Sequence, residues 1–195
     1  QYPLPVMEDA ADYLRDIGLS GRPYITINRG VDTNYTKSSV KLWPLAYYNT
    51  LTRRLKQRYP DILLVQLGAS YDRCPPLENI DMDLVGKTNL EQIKPILQHA
   101  LVHIDGEGGM VHLRHALGGG RSVVLFGPTS SEFFGYSENE NLVGGGCDVW
   151  CEWALNKWQE GCLRGSYETP PCMASITPEM VMEAADSIIR EEVRA

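Results

Sequence analysis

Residues Asp61 to Gly68 read DILLVQLG, a nearly unbroken apolar run of the kind found in strands covered on both faces of a parallel sheet. A parallel strand needs crossover connections on each side, and the surrounding chain supplies them. MEDAADYLRDIG (Met7–Gly18) has helical spacing and stops at glycine. PYITIN (Pro23–Asn28) is short and β-rich, and PLAYYNTLTRRLKQRYP (Pro44–Pro60) predicts a helix with Pro44 at its first position. A short strand near Leu84, a helix over Asn89–Ala100, a strand over Leu101–Asp105, a helix from Gly109 to Leu117 and a strand over Arg121–Gly127 continue the alternation. Repeated strand–helix units with right-handed crossovers predict an α/β, Rossmann-like, doubly wound parallel sheet. Ligands of such sheets bind beyond the carboxyl ends of the strands.

The chain has 195 residues, enough for one good core, and no internal repeat or long linker marks a second domain. Its net charge of −7 argues against nucleic acid as a partner, because phosphate backbones need a basic face. No run approaches a membrane span, and the start has neither a charged n-region nor an apolar h-region. The expected location is therefore cytoplasmic, either free or peripheral at the inner face of a membrane. A start at Gln1 in place of Met suggests a piece of a longer protein.

HIDGEGGMVHLRHALGGG (His103–Gly120) places glycines where a strand hands over to a helix. Helix amino termini leave backbone N–H groups without intrahelical partners, and the dipole there favours an anion. Gly108 and Gly109 would let a phosphate approach the backbone, while Glu107 would accept from a hydroxyl or cap an N–H. A ligand-free tight turn would use the same glycines.

Order along the chain adds to this. KLWP (Lys41–Pro44), QLGAS (Gln66–Ser70), VGKTNLEQI (Val85–Ile93), GEGGMVHLRHALG (Gly106–Gly118), VVLFGPTS (Val123–Ser130) and a closing CM…ITPEMV follow one another. Over roughly residues 20–185 this series resembles the carboxyl-terminal, nucleotide-binding domain of glycosyltransferase family 9, the ADP-heptose heptosyltransferases of the GT-B fold. Members carry Asp-Ser/Thr-Gly ahead of a histidine. Counting back from His112 puts Glu107, Gly108 and Gly109 in that register, with Glu for Asp, Gly for Ser or Thr, and Asp105 as an alternative acid.

The resemblance implies an ADP-sugar donor, with Lys41 on the diphosphate, where an ammonium offsets the charge that grows as the glycosidic bond breaks. Arg29, at the end of a predicted strand, is a second candidate cation, and Thr33, Thr36 and Ser38 offer hydroxyls to phosphate. Asp72 is placed to bridge ribose hydroxyls, and the backbone at Lys87 and Thr88 to read an adenine edge. Thr129, in the Gly127-Pro128-Thr129 turn, shapes the pocket. His112 and His115, one turn apart, read as packed or capping histidines, with His112 alone allowed a face on the pocket. The general base in GT-B enzymes comes from an amino-terminal acceptor domain, which this chain is expected to lack. The acceptor would be a glycan, such as lipopolysaccharide core, or a protein, and a second copy of the chain is a further candidate partner. Two alternatives remain open: another GT-B enzyme (a UDP-sugar transferase or a nucleotide-sugar epimerase), or a non-catalytic binding module of the same fold.

Cys147, Cys151, Cys162 and Cys172 fall in a glycine- and tryptophan-rich segment over residues 144–173, before a closing helix over 177–193 with Thr177 as its cap. Four thiolates suit a tetrahedral structural zinc or iron, and free or partly buried cysteines are the competing use. Some protein-modifying relatives of the family carry a cysteine-ligated iron near this end. No catalytic cofactor is expected, since such GT-B enzymes handle the diphosphate with side chains and helix dipoles. Because the cluster follows the last predicted strand, it is expected to stand apart from the nucleotide pocket.

Overall fold

The structure, a computed structural model, describes residues 4–30, 40–69, 74, 76–147, 151, 158–165 and 167–193. Six strands form one all-parallel sheet in the order β3-β2-β1-β4-β5-β6. They are β1 (Tyr24–Asn28), β2 (Leu63–Leu67), β3 (Met82–Asp83), β4 (Val102–Gly106), β5 (Ser122–Phe126) and β6 (Glu140–Val143). The order reverses between β1 and β4, so the loops after these two strands diverge and leave a crevice between them. β1 and β4 run in register with Ile25 opposite Val102, Thr26 opposite His103 and Ile27 opposite Ile104.

Every residue of β1, β2 and β5 is buried, as the apolar runs predict. One face, with Ile25, Ile27 and Ile104, packs under α2 (Leu45–Arg58) and the closing helix, α7 (Pro178–Glu192), through residues such as Leu51, Leu55, Val181 and Ile188. On the other face Tyr24, Val65 and Leu67 meet α1 (Ala10–Asp16) and α3 (Leu90–His99) through Leu14, Ile93 and Ile96. The same face carries α4 (Gly109–Ala116), whose Val111 meets Val124 and Phe126 of β5.

The ends of the helices follow from their sequences. Asn89 caps α3 in a reciprocal box with Gln92. Thr177 caps α7 by accepting from the Met180 N–H, with Pro178 first in the helix. Pro44 proves to be the cap of α2 and not its first residue. Its backbone is extended, with ψ 137°, and its carbonyl accepts from Tyr48.

β6 was not expected. Its sequence, Glu-Asn-Leu-Val, is a half-exposed edge with no apolar run to announce it. Two short helices, α5 (Ser131–Phe134) and α6 (Pro171–Ser175), and a 3₁₀ turn at Trp158–Glu160 complete the described elements. Arg114 is fully buried and donates to the carbonyls of Leu97, Ala100 and Arg121, so it closes the carboxyl end of α3. The glycines that follow it are partly steric, because a Cβ at Gly119 would press on Arg114 Cγ and Gln98 Cα at 3.0 Å each.

Candidate functional site

The crevice between β1 and β4 has a polar floor. Thr26 Oγ1 lies 2.9 Å from His103 Nδ1, and His103 Nε2 lies 3.3 Å from Asp105 Oδ2. Asn28 Nδ2 donates to Asp105 Oδ1 at 2.9 Å, and Asn28 Oδ1 in turn accepts from the Gly30 N–H. These four side chains alternate with Ile25, Ile27, Val102 and Ile104, so strand pleat alone puts them on one face. Burial pushes the Asp105 carboxyl above its ordinary range, against the opposing hydrogen bonds from His103, Asn28 and the Gly106 N–H.

The rim is built from loops and from the start of α4. Lys41 reaches Glu107 in a close ion pair, its Nζ donating to Oε2. The backbone is close too, since a Cβ at Gly106 would come within 3.7 Å of the Lys41 carbonyl. His112 Nε2 stands 3.7 Å from the other Glu107 oxygen, and its Nδ1 is 2.9 Å from the Tyr136 hydroxyl. Burial by itself raises the Glu107 carboxyl. His112 and Lys41, with the Thr129 hydroxyl beside them, more than reverse this and hold it at about 2. Of these, Lys41 is the surest cause, being charged and in contact, whereas His112 lies beyond hydrogen-bond length. The buried Thr129 hydroxyl itself makes no well-formed hydrogen bond.

At the mouth of this pair α4 begins. Gly108 is its cap, extended and without a side chain to satisfy the first N–H groups. A Cβ at Gly109 would meet nothing within 4 Å, so the space before the helix is open. An uncapped helix start, an ammonium and open space suit an anion of phosphate type.

The expected residues divide. Lys41, Glu107, Gly108, Gly109, His112 and Thr129 come together at the rim. Asp105 does not compete with Glu107 for that role, because it belongs to the buried floor. Arg29 stands at the carboxyl end of β1, where its guanidinium acts on Tyr48 and its Nε is buried without a hydrogen-bond partner. Thr88 lies on the outer side, in the loop where the Gly86 N–H donates to the Gly68 carbonyl. Gly68 in turn approaches Asn28, so this loop borders the crevice at one remove. Asp72, Thr33, Thr36 and Ser38 lie outside the described residues. His115 is half-buried, stacks on Tyr136 at 3.6 Å and pairs with Glu138, which is the packing role expected of it.

All five cysteines are described and are thiols. Burial, together with the Cys147, Cys151 and Cys162 thiols, pushes Cys172 up to about 11 against the help of the Met173 N–H. Among the described residues, however, no three of His, Cys, Asp or Glu are arranged to hold a metal ion. The segment also does not stand apart from the crevice. Trp158 turns its ring towards Lys41, whose Nζ is 5.5 Å from the ring centroid. Trp158, Tyr136 and the Asn28–His103 floor were the contributors not foreseen.

The family model for glycosyltransferase family 9 (heptosyltransferase) matches residues 4–160. The chain belongs to that family. Solved structures similar to this glycosyltransferase family 9 chain include Escherichia coli ADP-heptose lipopolysaccharide heptosyltransferase II, at TM-score 0.71 and 20% identity over 98% of this chain and 54% of that one. The iron-containing dodecameric glycosyltransferase TibC of enterotoxigenic E. coli H10407 aligns at 0.63 and 16%, over 90% and 47%. E. coli WaaC, solved with ADP-2-deoxy-2-fluoro heptose, aligns at 0.57 and 15%, over 96% and 50%. At these identities the likeness establishes the Rossmann-like fold of one GT-B half, and the chain spans about half the length of each matched protein. No curated protein matches. Among the described residues no helix is long and apolar enough to cross a membrane.

Proposed function

We propose that the chain is the nucleotide-sugar-binding half of a heptosyltransferase-type enzyme whose donor is ADP-heptose and whose acceptor is a glycan or protein. The observation that carries this is the meeting of Lys41, Glu107 and His112 at the open, uncapped start of α4, in the switch-point crevice of a family 9 fold. WaaC with its ADP-heptose analogue and TibC with ADP-D-β-D-heptose support the choice of donor.

In this reading the diphosphate lies against the first N–H groups of α4 with the Lys41 ammonium beside it. As the glycosidic bond breaks, negative charge grows on the leaving diphosphate, and both groups offset it more in the transition state than in the ground state. Glu107, already ionised, accepts from hydroxyls of the transferred sugar and keeps Lys41 oriented. The proton of the acceptor hydroxyl leaves to a base on an acceptor domain outside this chain. The enzyme works in the cytoplasm or at the inner face of the membrane.

The cysteines extend the proposal. Cys147, Cys151, Cys162 and Cys172 are chemically suited to a structural zinc or iron, and a cation would relieve the burial and the neighbouring sulfurs that raise the cost of ionising Cys172. Such a metal would order the segment and supply no step of the transfer. Metal analysis of protein purified without added metal tests this, and a metal-free chain of equal thermal stability would remove it.

Titration calorimetry tests the donor. ADP should bind and UDP should not, and Lys41→Ala should weaken ADP by about 1–3 kcal/mol, as for loss of a charged hydrogen bond. Gly109→Val, whose Cβ meets nothing within 4 Å, should block ADP while leaving the melting temperature in place. A Gly109→Val chain that binds ADP normally would show that the glycine corner is only a turn.

A further inference from the structure

The Lys41 ammonium is held from two sides by different chemistry. Glu107 binds it as a counter-ion and neutralises it. Trp158, half-buried in its 3₁₀ turn, attracts it through the ring face and leaves its charge intact. A diphosphate approaching Lys41 must compete with the carboxylate, but it does not compete with the indole.

We propose that Trp158 is a positioning residue of the donor site, holding the Lys41 ammonium at the crevice mouth, and that it ties donor affinity to the packing of the cysteine segment. This rests on the nucleotide reading above. Trp158 lies between Cys151 and Cys162 in sequence. The segment is fastened to the same edge of the sheet as the crevice. The Cys151 N–H donates to the Pro128 carbonyl at 3.0 Å, next to Thr129. A Cβ at Gly127 would run into Met173, and one at Gly144 into the Cys172 carbonyl, so α6 sits directly on the ends of β5 and β6. In this proposal, loosening the packing of Cys151 or Cys162 frees the indole from Lys41.

ADP titrations on the chain and its variants test this. Trp158→Leu keeps apolar bulk without a π face and should weaken ADP roughly three- to ten-fold, while Trp158→Phe should recover most of the affinity. Combined with Lys41→Ala, Trp158→Leu should add nothing further, because it acts only through the ammonium. Cys162→Ser should weaken ADP in the chain that keeps Trp158 and not in Trp158→Leu. Unchanged ADP affinity in Trp158→Leu, or losses from Trp158→Leu and Lys41→Ala that simply add, overturn the positioning role. Unchanged affinity in Cys162→Ser overturns the tie to the cysteines. A wild-type chain that fails to bind ADP overturns the nucleotide reading and this assignment with it, which is a different result from an ADP-binding chain indifferent to Trp158.

Discussion

The floor and the rim of the crevice each hold one carboxylate, two residues apart at the end of β4, and the two are driven in opposite directions. Asp105 is sealed in the floor between Asn28 and His103, and its burial raises the cost of its charge. Glu107, two positions on, donates its N–H to the Leu125 carbonyl just past β4, and against its burial His112 and the Lys41 ammonium hold its carboxyl at about 2. The difference lies in what surrounds each side chain. The acid in the floor joins β1 to β4, and the acid in the rim keeps a cation in place at the crevice mouth.

Breaking the floor should have the largest effect. Asp105→Ala leaves the Asn28 amide and the His103 ring without their buried partner and should cost about 3 kcal/mol of stability in urea unfolding, the penalty of orphaning two buried polar groups. Asp105→Asn retains an acceptor for Asn28 and should cost much less. It should also remove the destabilisation that sets in as pH rises through the ordinary Asp range, where the folded state resists ionising this carboxyl. Equal losses from the two variants would mean that volume matters here and the hydrogen bonds do not.

The rim comes next and has the opposite sign with pH. The folded Glu107 value of about 2 lies below its ordinary 4.5, so its contribution is complete above pH 4.5 and is lost as pH falls towards 2. Glu107→Gln should lower stability at neutral pH by about 1–2 kcal/mol, discounting for partial exposure, and flatten the acid limb between those limits. Because Gln leaves the Lys41 charge unneutralised, ADP should bind at least as tightly as to the wild type. Loss of ADP binding in this variant would shift the role of Glu107 from holding Lys41 to contacting the nucleotide directly.

The two regions also differ in how far the sequence discloses them. The buried strands and their flanking helices are visible in DILLVQLG and its neighbours, because burial on both faces leaves a continuous apolar trace. Lys41, Glu107 and the glycine pair are visible through motif order and register with His112. The Thr26–His103 and Asn28–Asp105 contacts depend on β1 lying beside β4, which no local period specifies. Trp158 is hidden for the same reason: a tryptophan in a cysteine-rich stretch does not reveal that its ring returns to Lys41. β6 is hidden because an edge strand of Glu, Asn, Leu and Val needs no alternation to pair with β5. The Pro44 error is one of a single position, set by whether the ring or its carbonyl starts the helix.

The smallest effect probes how far the rim extends. Tyr136 gives its hydroxyl to His112 and its ring face to His115, so Tyr136→Phe removes only the hydrogen bond and keeps the stack. It should cost about 1 kcal/mol or less, as a single neutral hydrogen bond does. Its value lies in the combination with Glu107→Gln. If Tyr136 orients His112 so that Nε2 faces Glu107, the two losses should fall short of their sum in a double-mutant cycle read by urea unfolding. If they add fully, His112 and Tyr136 pack α4 against the loop before β6, and the rim ends at the Lys41–Glu107 pair.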